Sequence, residues 1–505
     1  MNLTGFFCIF TLDLNYSIMA NTSLEKLIKS LSRGELKTFS LSIKNNKSPE
    51  YYKLFRQLKA DKEIANSSDN NAQRRKYLYD SLLESLNRNV DSIDSEIIKK
   101  LLNTETLFKR QLVKEAWKEV NKAQKLAQKH ERFGILIQIL EYKKSIGFYL
   151  DSFSRYDHLE LSQFEEKVLN QQLIYLRTKN LYMEILGLKK EIGYLESNFD
   201  KSLFSKFDVE IAPDMVSKRA LFYSKMTKAI YHWMLKEHNE EYLLTKQIIE
   251  ETDVIIDTTE YLMGNLEHLT SCVCNATFNE LLLTLEHLKE KYSKGFFGNS
   301  KSIELKLFYY AANYEIMSYA YLGDEERLIC KIEEVEEGIE YWKKNLSKEM
   351  LIVIYSALKL AYYLLGNKKL SSYYINKILS ESNKAIRKDA FEEALLLNLV
   401  SAFDKDDYDF QESVLLKTIR YFKNNDMIDS FEYKLVTSFK KNITNSDIFL
   451  KVYYELESYF DNYFYKLSDG RYFSENYLLI YIWLISKIKK EPIMQIMKKW
   501  SNNKL

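Results

Sequence analysis

The chain has 505 residues and a formal net charge of +2, with 46% hydrophobic and 29% charged residues. These values exclude a globally disordered protein, because there is ample apolar material for a packed core. Only 3 prolines and 13 glycines are present, which is well below ordinary usage. Both residues interrupt helices, so their scarcity predicts an all-α fold with long helices.

Residues 1–20 contain an apolar run that has no basic residue before it and is closed by Asp13. A secretory signal has a basic start and a longer apolar stretch. We expect these residues to be a flexible tail or a mis-assigned start, with Met19 as the real beginning, since the helical sequence NTSLEKLIKSL follows directly. The 4 cysteines are too few and too scattered for a disulfide framework, which favours a cytoplasmic location.

Residues 21–92 are expected to form a small, basic N-terminal region of short helices. Ser23 can cap the first helix, and Ser48 with Pro49 supplies a cap and a first-turn proline for another. Residues 21–132 hold 24 Lys and Arg against 15 Asp and Glu. This excess permits contact with nucleic acid or with another acidic partner. Whether the region is a separate domain or the first units of a longer array stays open.

The segment after this region has the pattern of a two-sided helix. Small and apolar residues recur every three or four positions on one face. Lysines recur in the same way on another face, at Lys114, Lys118, Lys122, Lys125 and Lys129. This lysine stripe can follow an anionic partner such as a phosphate backbone, or it can simply be a solvated helix face.

Residues 93–505 are predicted to form an α-solenoid of stacked, antiparallel helix pairs. The strings YAYLGDEERLICKIEEV and YYLLGNKKLSSYYINKI align on Gly323 and Gly366. Both have a tyrosine four residues before the glycine, and an Asp or Asn directly after it. A glycine that adopts positive φ can end the first helix, and the polar residue can cap the second.

These positions, Tyr319, Gly323 and Asp324 in the first copy, resemble a degenerate tetratricopeptide-type repeat. The chain departs from that pattern at Leu328 and Ser371, where a small residue is expected. The copies are also further apart than the roughly 34 residues of that family. The resemblance implies an α-solenoid more than membership of any one repeat family. The segment LEKLIKSLSRGELKTFSLSI is similar to a group of uncharacterised bacterial helical-repeat proteins, which implies no function.

The groove of such an array is lined mainly by the first helix of each pair. The repeat alignment places five polar or aromatic residues on that surface: Tyr310, Asn313, Tyr321, Ser356 and Tyr363. Tyrosine suits a binding surface because it gives a large contact area at low entropy cost and keeps a hydroxyl for hydrogen bonding. The alternative is that these side chains pack between repeat units.

The loop SKGFFGNS, residues 293–300, places two glycines around Phe296 and Phe297. An exposed aromatic pair would be a knob for partner binding, whereas a buried pair would pack between helices. The apolar stretch near residues 476–487 is about half as long as a membrane helix needs. We therefore expect a buried C-terminal helix there.

No nucleotide-binding or catalytic motif is present in the sequence. The strongest metal candidate combines His268, Cys272 and Cys274, with His287 beyond. Cys272 and Cys274 lie about 200° apart around one helix, so a single helix cannot direct both at one ion. We expect these cysteines to be core residues, and we expect no metal, no cofactor and no catalytic residues.

The sequence therefore leaves two candidate functions open. The first is a non-catalytic, cytoplasmic scaffold that binds a protein or peptide in the solenoid groove. The second is a nucleic-acid-associated regulator, in which the basic N-terminal region contacts nucleic acid and the solenoid senses a partner. The helix sequences LEKLIKSL and GELKTFSLSI can pack as a helix-turn-helix, although the turn between them is not diagnostic.

Overall fold

The computed structural model describes residues 23–29, 31, 33–46, 49–59, 69–87, 92–150, 152–192, 195, 206–207, 217–251, 257–298, 300–381, 387–405, 407–425, 427–428, 430–468 and 475–502. Regular structure in these residues is helical throughout, with no strand. The all-α prediction is confirmed. The predicted tail, residues 1–20, and the alternative start at Met19 lie outside the described residues.

The chain forms two compact units, residues 1–110 and 111–505. The described part of the first unit contains the helices α1 (residues 23–29), α2 (Arg33–Asn46), α3 (Pro49–Lys59), α4 (Asp69–Asn87) and α5 (Ile93–Lys109). The apolar faces of α1 to α4 share a core in which the rings of Phe39 and Phe55 meet edge to face, with centroids 5.2 Å apart. The predicted solenoid begins at residue 93, at the start of α5, whereas the first compact unit extends to Arg110 and includes this helix.

The second unit continues the helical succession to the end of the described chain. Its helices are α6 (Val113–Lys129), α7 (Phe133–Gly147), α8 (Arg155–Ile192), α9 (Lys218–Met234), α10 (His238–Glu251), α11 (Thr258–Cys274), α12 (Phe278–Ser293), α13 (Lys301–Leu322), α14 (Glu325–Trp342), α15 (Lys348–Leu364), α16 (Lys368–Leu379), α17 (Lys388–Phe403), α18 (Tyr408–Asn424), α19 (Phe431–Asn442), α20 (Ile448–Ser468), α21 (Glu475–Lys489) and α22 (Ile493–Ser501).

Each of these helices packs on the next one along the chain. Among alternate helices, α15 also packs on both α13 and α17, and we call these three the stacked helices. A helix pair that contacts mainly its neighbouring pairs is the repeating unit of an α-solenoid. The predicted solenoid architecture is therefore confirmed for the second unit.

The two aligned glycines form equivalent turns between the helices of a pair. Gly323 and Gly366 have φ of 68° and 76°, in the region that favours glycine. The Asp324 side chain accepts a hydrogen bond from the Arg327 backbone N–H at 3.2 Å, and Asn367 caps the next pair in the same way. These contacts stabilise the first turns of α14 and α16. The predicted turn chemistry is confirmed in both copies.

The last two helices return onto the stacked helices. α21 packs on α17, and α22 packs on α13. Trp483 of α21 is buried and donates from its indole Nε1 to Asp404, at 3.4 Å. The stretch near residues 476–487 forms α21, which presents buried apolar residues to this contact. None of the described helices combines the length and the apolarity that a membrane span requires.

Candidate binding groove

A cavity of about 80 Å³ lies across the stacked helices. Its lining comes from all three of them: Asn313 and Met317 of α13; Val353, Ser356, Ala357 and Leu360 of α15; and Arg387, Ala390 and Glu393 at the start of α17. The apolar members come from the faces on which the helices pack. The polar members converge on the space between them, so the cavity offers both hydrogen-bonding groups and apolar contact.

The Ser356 hydroxyl is the least satisfied polar group of this cavity. Its Oγ is buried and has no hydrogen-bond partner within the part of the chain that the structure describes. A buried hydroxyl that lacks a partner costs about 1–3 kcal/mol. A bound molecule that supplies a donor or an acceptor at this point therefore recovers free energy.

Charged residues border the same cavity. Lys359 is buried, and its Nζ lies 3.3 Å from Glu393 and 3.4 Å from the Ser356 carbonyl oxygen. Arg387 donates from Nε to both carboxylate oxygens of Asp389, at 2.8 and 3.2 Å. Burial disfavours the charge on Arg387, but the hydrogen bonds to Asp389 outweigh it and raise the pKa of the guanidinium. The rim of the cavity therefore carries fixed charges of both signs.

A second cavity, of about 330 Å³, lies where α21 and α22 meet the ends of α15 and α17. Asp404 accepts hydrogen bonds from Tyr363 at 3.1 Å and from Trp483, and it also pairs with Lys487. Burial and the neighbouring Asp404 raise the pKa of the Tyr363 hydroxyl. The Asp404 carboxylate therefore already has hydrogen-bond and ion-pair partners within the protein. These contacts hold the C-terminal helices in place.

The structure places the five predicted groove residues in three different surroundings. Asn313 and Ser356 line the cavity across the stacked helices. Tyr310 is half-buried and packs against its neighbours Tyr309 and Tyr314. The placement of Tyr321 and Tyr363 on an open groove is wrong.

Both of these tyrosines are buried, for two different reasons. Tyr321 stacks on Phe278 of α12, with ring centroids 5.5 Å apart. Tyr363 lies beneath α21, where Trp483 lines the same cavity. The C-terminal helices and α12 therefore cover the part of the surface that the repeat alignment left open.

Sequence reasoning missed Lys359, Arg387 and Glu393 because the alignment covered only two repeat copies. One signal was available in α15, where Lys359 interrupts the apolar run LIVIYSALKLAYYLL. A lysine within such a run has to find a partner when the helix is buried. The identity of that partner, Glu393 of α17, depends on the packing of two separate pairs.

The loop of residues 293–300 does not present Phe296 and Phe297 as one exposed aromatic pair. Phe297 is only 6% exposed and packs near Tyr261, with ring centroids 6.2 Å apart. Phe296 is 41% exposed, although it also contacts the Tyr261 ring edge to face at 5.2 Å. The prediction of an exposed partner-binding residue is therefore wrong for Phe297, because its ring is part of the core next to α11.

The lysine stripe lies on α6, and all five of its lysines are exposed. Lys122 pairs with Glu119 at 2.6 Å. The opposite face of the helix is buried, as predicted, through Ala116, Val120, Ala123 and Ala127. This geometry suits a solvated face and leaves the lysine side chains accessible, so contact with an anionic partner stays a prediction.

No protein-family model, curated protein or solved structure matches the chain. The class of protein is therefore defined by the fold itself. It is an all-α helical-repeat protein, built as a solenoid of helix pairs in its second unit.

Proposed function

We propose that the protein is a non-catalytic, cytoplasmic interaction protein that binds an extended peptide segment of a partner across the stacked helices. The observation that supports this most is the buried Ser356 hydroxyl, which lacks a hydrogen-bond partner among the described residues and belongs to a residue that lines a cavity shared by three successive pairs. Solenoid surfaces of this kind bind extended chains.

The lining suits a peptide because its groups can pair with both the backbone and the side chains of an extended chain. Asn313 offers a donor and an acceptor, and Ser356 offers both through one hydroxyl, so each can pair with a backbone amide. Arg387 and Glu393 on the rim can pair with charged side chains of either sign. A cavity of about 80 Å³ accepts one small side chain, which would anchor the peptide.

The test is to select peptides from a random library on the full-length protein and to measure their affinity by fluorescence polarisation. We expect the double variant Asn313→Ala, Ser356→Ala to weaken binding by about thirtyfold, since each of the two lost hydrogen bonds is worth about 1 kcal/mol. Ser318→Ala is the matched control. Its hydroxyl is also buried, with no partner in the described chain, but it does not line the cavity.

Equal loss of binding in Ser318→Ala would show that the effect is structural. Unchanged binding in the double variant would place the peptide elsewhere and refute this site. A library that yields no binder to the folded protein would also count against the proposal.

The exposed lysine stripe supports nucleic acid as the second candidate partner. Five lysines on one helix face can contact successive phosphates, and such binding weakens steeply as salt rises. An electrophoretic shift of labelled single and double strands at low salt tests it, with the triple variant Lys114→Glu, Lys118→Glu, Lys122→Glu as the probe. Absence of a shift at low salt would eliminate this candidate.

A further inference from the structure

The structure separates the four residues that the sequence analysis considered as metal ligands. His268 and Cys272 face each other on α11, with Nε2 and Sγ 3.5 Å apart. The His287 Nε2 instead lies 3.0 Å from the Tyr261 hydroxyl. Cys274 lies on a different side of α11, as its angular offset from Cys272 requires. It meets two residues from the start of α10 that the sequence analysis did not consider.

These two residues are His238 and Glu241, and both are fully buried. They are three positions apart, so their side chains lie on one face of the helix. Potential ligand atoms of His238, Glu241 and Cys274 all lie within 4.8 Å of one another. His238 Nδ1 and Glu241 Oε2 are 2.9 Å apart.

Glu241 supplies a second and independent observation. Its other carboxylate oxygen, Oε1, is buried and has no hydrogen-bond partner among the residues that the structure describes. A buried carboxylate oxygen normally has a donor or a cation as its partner, because the cost of leaving it alone is high. One carboxylate oxygen of Glu241 lies within 4.8 Å of a ring nitrogen of His238 and of the sulfur of Cys274.

We propose that His238, Glu241 and Cys274 form a binding site for a divalent transition metal ion of the zinc type. Imidazole nitrogen, carboxylate oxygen and thiolate sulfur are the three ligand types that zinc takes in proteins. A carboxylate and a thiolate together offset the two positive charges of the ion. Three protein ligands leave a fourth position for water or another small ligand.

The surroundings of the cluster support this assignment. A bound ion would replace the acidic protons of Glu241 and Cys274. The nearby cation Lys189 is balanced by Glu267, with Nζ and Oε1 2.8 Å apart.

The ends of the two helices are also held together beside the cluster. Asn275, directly after α11, donates from its side-chain nitrogen to the His238 carbonyl oxygen at 2.9 Å. This bond fixes the first residue of α10 against the last turn of α11. It therefore sets the separation between His238 and Cys274 before any ion binds, which reduces the cost of assembling the site.

The test is a titration of the full-length, chelator-treated protein with cobalt(II) alone, monitored by the thiolate-to-cobalt charge-transfer absorption and checked by metal analysis. We expect one ion per chain. Cys274→Ser should abolish the charge-transfer band, and His238→Ala should weaken binding by at least about tenfold. Cys272→Ser is the matched control and should keep the band, because Cys272 belongs to the separate pair with His268.

Glu241→Gln keeps the shape of the side chain and guards against loss of the fold as the explanation. Zinc should raise the Tm of the wild type and leave that of Glu241→Gln almost unchanged, while circular dichroism shows both chains helical. Absence of the band in the folded wild type would overturn the proposal. So would a band that survives in Cys274→Ser and disappears in Cys272→Ser.

Discussion

Several buried charges in the described part of the chain occur as hydrogen-bonded pairs between separate helices. The Arg219 side chain of α9 donates to both carboxylate oxygens of Glu260 on α11, at 2.6 to 3.0 Å, and both residues are largely buried. The guanidinium also lies 4.6 Å from the centroid of the Tyr175 ring. Such a pair connects successive repeat units. Removal of either partner leaves a buried charge without compensation, which is strongly destabilising.

We expect Glu260→Gln to lower the free energy of unfolding by about 3 kcal/mol, because Arg219 would keep its charge with its main partner removed. Urea unfolding followed by circular dichroism measures the change. Glu340→Gln is the control, since its pair with Lys343 leaves both side chains 70% exposed. The control should change stability by less than about 0.5 kcal/mol. Equal effects in the two variants would contradict the buried role of Glu260.

The helix pairs are joined by turns whose conformation depends on a few local residues. Gly323 and Gly366 both adopt positive φ, so alanine at either position is strained. Their surroundings differ. A Cβ at position 323 would lie 2.8 Å from the Lys498 backbone of α22, whereas a Cβ at position 366 would meet nothing within 4 Å.

We expect Gly366→Ala to cost about 1 kcal/mol from backbone strain alone. Gly323→Ala should cost at least about 1 kcal/mol more, because α22 has to move to accommodate the methyl group. Thermal unfolding of the two variants, which are matched in turn type, measures the difference. Equal losses of stability would mean that α22 does not press on this turn.

The C-terminal helices complete the core of the second unit. Apolar residues of α21 and α22 share one core cluster with residues of α13, α15 and α17. Trp483 and its neighbours close the surface that the first helices of a solenoid commonly leave open as a groove. The remaining cavity, with Asn313 and Ser356, lies outside this covered part.

We expect a chain that ends at residue 474, without α21 and α22, to lose cooperative unfolding and to bind a hydrophobic dye. The reason is that the truncation exposes apolar side chains of α13 and α17, each worth about 1.5–3 kcal/mol when buried. A chain that ends at Asn502 keeps both helices and is the control. A shortened chain that unfolds as cooperatively as the control would show that the C-terminal pair is dispensable for the fold.

Features that depend on neighbouring residues could be predicted from the amino-acid sequence alone. Scarcity of proline and glycine predicted the helical fold, and the three- and four-residue periodicity predicted the buried face of α6. The paired turns at Gly323 and Gly366 followed from the need for positive φ and for a capping side chain. In each case the physical cause lies within a few residues of the feature.

Which distant side chains meet became clear from the packing of the helices. It placed α21 and α22 over Tyr363 and Gly323, brought Lys359 to Glu393, and joined Cys274 to His238 and Glu241. Helical periodicity fixes the direction of a side chain around its own helix, but it does not fix which other helix lies in that direction. That choice depends on the packing of whole apolar faces, which is a property of the assembled unit.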